Sequence, residues 1–139
     1  GRIELIELSG EAASRRSYGG PLGPRVLKPD SFVRLGTGEF EDSYFIEVDM
    51  GTEGSRALSA KLRQYVEYEA SGIEQAERGV FPLSVWLTPD TERAEVIRAC
   101  IDRLPRASWE LFRAAPFSEV EALFTGNGAG EGLPGHEKM

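Results

Sequence analysis

Two β-prone runs joined by a short polar link constrain this chain most. Residues 30–35 are apolar and β-prone, residues 36–42 are polar with two glycines, and residues 43–49 are apolar again. That is the pattern of an antiparallel hairpin. Successive strand side chains point to opposite faces, so Tyr44, Ile46 and Val48 face one way while Phe45, Glu47 and Asp49 face the other. The same rule puts Asp30, Phe32 and Arg34 on one face of the first strand, which lets carboxylates on neighbouring strands meet.

After the break Gly51-Thr52-Glu53-Gly54-Ser55, residues 56–71 carry helical periodicity, with Ser55 as cap and Gly72 as stop. The apolar stripe is Leu58, Leu62, Tyr65 and Val66, and Lys61 falls inside it. Residues 83–88 are expected to form a buried strand. Pro89 and Asp90 open a helix to about residue 104, with Ala94, Ile97, Ile101 and Leu104 turned inward. Strand, helix, strand, helix in that order predicts a right-handed parallel crossover. Residues 111–115 are expected as a last short strand and residues 118–124 as a helix capped by Ser118. At the other end, Ile3, Leu5, Ile6 and Leu8 are ambiguous between strand and helix, and residues 18–24, dense in Gly and Pro, are expected to be a loop. The expected organisation is one α/β domain over residues 1–125 and a flexible Gly-rich tail over residues 126–139.

A chain of 139 residues suits a single core. No apolar run approaches the roughly 20 residues of a spanning helix, and Cys100 sits in an apolar helical stripe, which predicts a reduced thiol. Cytoplasm is the expected compartment. The chain begins without Met, which predicts a preceding module. Its 23 acidic against 16 basic residues weigh against strong nonspecific nucleic-acid binding, because phosphate attraction grows with cationic contacts. Acidic residues that hold a divalent cation can still serve phosphate chemistry. Basic residues gather locally at Arg15, Arg16, Arg25, Lys28 and Arg34, and Arg16, Lys28 and Arg34 are the expected nucleic-acid contacts.

Metal-assisted cleavage of a phosphodiester requires carboxylates converging on a hard cation, with a cationic group near the attacking water or the phosphate. Asp30, Glu47 and Asp49 supply the carboxylates and Lys61 the cation. Pro29-Asp30 before one strand and Glu47-Val48-Asp49 at the end of the next follow the outline of the PD-(D/E)xK nucleases, although Asp49 stands where those carry lysine.

Three stretches carry a resemblance: residues 28–35, beginning Lys28-Pro29-Asp30; residues 45–53, containing Glu47-Val48-Asp49; and Lys61-Leu62-Arg63-Gln64-Tyr65 with Tyr68. Phe81-Pro82 and residues 86–93 continue it. Together they resemble the replication-relaxation family of plasmid and mobile-element proteins, over about residues 11–123. The resemblance implies a restriction-endonuclease-like mixed sheet flanked by helices, often behind an amino-terminal winged helix, and a role in plasmid DNA replication or relaxation. Position by position, Asp30 matches the family's aspartate after proline, Glu47 and Asp49 its Glu-x-Asp, Lys61 its helical lysine, and Glu11 an upstream glutamate. Asp30, Glu47 and Lys61 are thus the expected catalytic residues, with Asp30, Glu47 and Asp49 binding Mg2+ or Mn2+, Glu11 as accessory, and DNA as partner. The alternative is a catalytically silent scaffold, homodimeric or bound to a replication partner, in which Glu47 pairs structurally with Lys61 or Arg34.

Overall fold

A computed structural model describes residues 2–125 and 136–138. The chain begins with β1 (Ile3–Ser9), resolving the ambiguity of that segment in favour of a strand, and a 3-10 turn at Ala12–Ser14 follows. Next come β2 (Arg16–Gly20) and β3 (Gly23–Leu27), which pair as a separate two-stranded hairpin. This departs from the expected loop. The turn formers are real, but only Pro21 and Leu22 form the turn, and Gly19 and Pro24 lie opposite each other within the paired ladder.

β4 (Ser31–Thr37) and β5 (Phe40–Val48) form the expected antiparallel hairpin, with Phe32 opposite Phe45 and Ser31 opposite Ile46. A helix α1 (Ser55–Ser71) and a short α2 (Ile73–Arg78) lead to β6 (Leu83–Thr88), parallel to β5. α3 (Thr91–Asp102) then leads to β7 (Phe112–Pro116), parallel to β6. The main sheet runs β1-β4-β5-β6-β7, a mixed sheet flanked by helices, consistent with a nuclease-like α/β fold. α4 (Val120–Thr125) follows a 3-10 turn at Phe117–Glu119, so Ser118 lies inside that turn instead of capping the helix. The expected tail falls mostly outside the described residues. Within it, β8 (His136–Lys138) lies antiparallel to Phe40–Asp42 of β5.

Strand alternation divides the core into two layers. Phe32, Phe45 and Trp86 meet Leu58, Leu62, Tyr65 and Tyr68 of α1 and Ile97 and Ile101 of α3 on one face. Tyr44, Ile46, Val85 and Leu87 meet Val120, Leu123 and Phe124 on the other. Leu58 and Leu62 are fully buried, and each such side chain contributes about 1.5–3 kcal/mol. Tyr68, not Val66, completes the fully buried row of α1. That helix starts after Gly54 without a side-chain cap and ends at Gly72, whose φ of 73° is left-handed and whose N–H bonds the Glu69 carbonyl. α3 is capped as the sequence predicts, the Asp90 carboxylate accepting from the Arg93 N–H at 2.8 Å.

The hairpin β2–β3 is bound to the domain through charge as well as apolar contact. Arg16 donates to Glu74 of α2 at 2.9 Å and lies over the rings of Phe32 and Phe45, 5.1 and 5.4 Å from their centroids. Glu74 is 1% exposed and also accepts from the Tyr68 hydroxyl at 2.6 Å. A buried carboxylate persists only with partners of this kind.

Candidate functional site

The end of β5, the chain entering β4, the first half of α1 and the flank of β3 enclose a pocket of about 510 Å3. Its lining includes Glu11, Asp30, Glu47 and Lys61, with Arg25, Lys28 and Tyr65. Five residues expected at the site from sequence, Glu11, Lys28, Asp30, Glu47 and Lys61, therefore share one cavity. Strand pairing is the cause: Ser31 stands opposite Ile46, so Asp30 is placed beside Glu47 and Val48. The Val48 N–H donates to Asp30 Oδ2 at 2.7 Å, and the Asp30 N–H donates to the Ile46 carbonyl at 3.0 Å.

Glu47 is 9% exposed. The Tyr65 hydroxyl donates to its Oε2 at 2.5 Å. Burial pushes the Glu47 carboxyl up to about 7, and the negative charges of Asp30 and Glu53 add to this while the Tyr65 bond and Lys61 oppose it. Tyr65 is itself held well above its ordinary value, first by burial and then by Glu47. Sequence reasoning treated Tyr65 as core packing. Its hydroxyl is the positioning group for Glu47, and the available signal was its place one turn after Lys61 on the same helix face.

Lys61 reaches the pocket from the solvent-facing margin of the α1 stripe. Its ammonium bonds Glu53 Oε1 at 2.6 Å with the side chain 47% exposed, and that bond raises its pKa. Glu47 is paired with neither Lys61 nor Arg34. Asp49 does not line the pocket. Arg93 holds its carboxylate with bonds of 2.7 and 3.1 Å and also donates to the Glu53 carbonyl at 2.8 Å, while the Gly51 N–H donates to Asp49 Oδ1. Burial alone would raise the Asp49 carboxyl, but Arg93 and Gly51 bring it below the ordinary carboxylate value. Asp49 and Arg93 together fix the loop that carries Glu53 over α1.

The expected phosphate contacts separate into two groups. Lys28 is exposed and lines the pocket. Arg16 is spent on Glu74, and Arg34 is spent on Glu7 at 2.9 Å and on Glu41. Arg25, part of the basic patch but not among the expected contacts, joins Lys28 at the pocket and shares Glu67 with the Tyr18 hydroxyl. Another cavity of about 410 Å3 lies between α3, β7 and α4, but its Arg98 and Arg113 donate to the backbone carbonyls of Ala114 and Phe112.

Asp30 and Glu47 each commit one oxygen to the protein, to Val48 N–H and to Tyr65 respectively. Asp30 Oδ1 and Glu47 Oε1 carry no protein hydrogen bond among the described residues. No group of three or more His, Cys, Asp and Glu is spaced to hold a metal among those residues. Two free carboxylate oxygens suit Mg2+ in its usual protein mode, with one or two carboxylates and the remaining positions filled by water and substrate phosphate. The donor set fits that mode and does not form an all-protein cage. Among the described residues no helix is long and apolar enough to cross a membrane.

A comparison with curated proteins finds no match. The family model described as replication-relaxation matches residues 7–83, a span that contains Glu11, Asp30, Glu47 and Lys61 and ends where β6 begins. With more than half of its 139 residues so matched, the chain belongs to the replication-relaxation family.

Proposed function

We propose that this domain performs metal-dependent phosphodiester chemistry on DNA in plasmid or mobile-element replication, with a PD-(D/E)xK-like site built from Asp30, Glu47 and Lys61. The observation that carries this reading is a pocket whose lining brings together two carboxylates, Asp30 and Glu47, each with one uncommitted oxygen, and the cations Arg25, Lys28 and Lys61. Carboxylates suit a hard cation and nearby cationic groups suit phosphate oxygens. Asp30 and Glu47 would hold Mg2+ or Mn2+, which supplies Lewis-acid polarisation of the phosphate and activation of water when bound. Asp30 is oriented by the Val48 N–H. Glu47, held by Tyr65, loses its proton as pH rises through about 7. Lys61 lines the same pocket from α1 and would take the part of the PD-(D/E)xK lysine, since Asp49 occupies the strand position. Its exchange from Glu53 to a phosphate oxygen or the attacking water stabilises developing negative charge. Lys28 and Arg25 align the backbone.

Plasmid nicking in Mg2+ or Mn2+ tests this directly. Asp30→Ala and Lys61→Ala are expected to lower the rate by roughly 100-fold or more while keeping the native circular dichroism spectrum. Cleavage at the wild-type rate by both variants rejects the assignment. A scaffold reading draws on two different facts, the pairing of Lys61 with Glu53 and of Asp49 with Arg93. It predicts that the wild type neither nicks DNA nor binds the cation.

A further inference from the structure

A groove of about 340 Å3 runs between α1 and the end of α3. Its lining joins the buried Cys100 and Leu104 and the half-buried Val66 to the exposed Pro105 and two exposed arginines, Arg63 and Arg103. The groove and the carboxylate pocket use different sides of α1. Lys61, Gln64 and Tyr65 line the pocket, whereas Ser59, Arg63, Val66 and Glu67 line the groove. On a helix of about 3.6 residues per turn these two sets point roughly half a turn apart.

The two arginines of the groove are unspent. Arg16, Arg34, Arg78 and Arg93 each hold a carboxylate, and Arg98 and Arg113 donate to backbone carbonyls. Among the described residues, the side chains of Arg63 and Arg103 have neither an ion pair nor a hydrogen bond. Glu67, the carboxylate in the same lining, is taken by Arg25 at 3.1 Å and by the Tyr18 hydroxyl at 2.9 Å. In a chain of net charge −7, the groove is therefore a local surplus of positive charge on an apolar concavity. An unpaired arginine is ordinary on a convex surface, but here two helices bring one each to the same hollow. The charge continues beyond it. Arg56 stands two turns before Arg63 on the same side of α1, about 10.5 Å along the axis, and Arg106 follows Arg103 by three residues with its guanidinium 5.5 Å from the Trp109 ring centroid. Two arginines match one phosphate, and further cations at both ends match a chain of phosphates.

We propose that the groove between α1 and α3 is a second nucleic-acid site, which holds a single strand with a phosphate between Arg63 and Arg103 and the adjoining base against Val66, Leu104 and Pro105. A cationic groove that tracks the backbone, with apolar surface and guanidinium planes for the bases, is the general form of single-strand binding. The apolar lining selects a single strand, because in a duplex the base faces are already stacked and out of reach. Binding is tolerant of sequence, since Ser59 is the one neutral polar side chain in the lining. The site uses neither Asp30 nor Glu47 and needs no metal, so it stands apart from the carboxylate chemistry.

Fluorescence anisotropy of a labelled single-stranded thymine oligonucleotide, titrated with the whole chain in EDTA, tests this. Arg63→Ala and Arg103→Ala are each expected to weaken binding roughly 10-fold or more and to lower the slope of log affinity against log salt by about 0.7. Both side chains are exposed, so Tm should not move. Arg2→Ala removes the same charge beside β1, the far edge strand of the sheet, and is expected to change affinity by less than about 2-fold. Wild-type affinity in both groove variants, an equal loss in Arg2→Ala, or no binding by wild type overturns the site. A duplex of the same length bound as tightly as the single strand overturns the seat for a base. Thymidine monophosphate bound as tightly as the oligonucleotide overturns the strand and assigns the groove to a free nucleotide. Calorimetric titration of Mg2+ into the wild type keeps the two proposals separate. Groove-dependent strand binding without cation binding rejects the carboxylate chemistry alone, and cation binding with unaltered groove variants rejects the groove alone.

Discussion

Replacing Glu47 by glutamine is expected to stabilise the domain at alkaline pH. In the folded chain the carboxyl is raised from 4.5 to about 7, mainly by burial. Between those values the folded state holds a proton that the unfolded chain has released, so stability falls as pH rises through the window and levels off above about 7. At about 1.4 kcal/mol per pH unit, full ionisation costs the fold roughly 3 kcal/mol. Glutamine removes that cost and still offers its carbonyl oxygen to the Tyr65 hydroxyl. Urea denaturation in EDTA at pH 5, 6, 7 and 8 measures it. Glu47→Gln should match wild type within about 1 kcal/mol at pH 5 and exceed it by roughly 2–3 kcal/mol at pH 8. A group retained against stability is what a functional carboxylate looks like. If Glu47→Gln is instead less stable at pH 8, Glu47 is ionised by a structural partner and the reasoning fails.

Two further substitutions probe the supporting structure. Arg93→Ala leaves the buried Asp49 carboxylate without its bidentate partner and should cost roughly 3 kcal/mol at pH 7. The Asp49 carboxyl is held low, so this contribution is present above its unfolded value and shrinks as pH falls through the folded one; urea titrations at pH 7 and pH 3 check it, and a loss below about 1 kcal/mol at pH 7 refutes the clamp. Glu74→Ala strands Arg16 between Phe32, Phe45 and α2 and should cost roughly 3–5 kcal/mol in the same assay, whereas a near-neutral result means that Arg16 finds another partner.

The β4–β5 hairpin was legible because alternation is a local signal, and the two faces it predicts are the two core layers. The split of Phe45 and Glu47 from Tyr44 and Ile46 follows from nothing else. α1 and α3 were legible from periodicity and from Gly72 and Asp90. The β2–β3 hairpin was not, since Gly19, Gly20, Gly23 and Pro24 signal turns, and only the anchoring of Tyr18 and Leu27 in the core makes strands of their neighbours. Pro in a two-stranded ribbon is tolerated at an edge. At the site, Glu11, Asp30, Glu47 and Lys61 were named from sequence and line one pocket. Which charges are spent elsewhere was not legible. Arg16 finds Glu74 across 58 positions, Arg34 finds Glu7 across 27 and Arg93 finds Asp49 across 44. Such pairings are set by topology, and no local pattern encodes them. Tyr65 was hidden for the opposite reason, because its ring is core and only its hydroxyl belongs to the site.

Calorimetric titration of Mg2+ or Mn2+ into wild type, Asp30→Ala and Glu47→Ala at pH 8, with and without DNA, tests the central claim most directly. Asp30 and Glu47 as paired ligands predict binding to wild type that is lost in both variants. Wild-type binding that persists in either variant, or no binding to wild type even with DNA present, contradicts the metal site and leaves the pocket to a scaffold role.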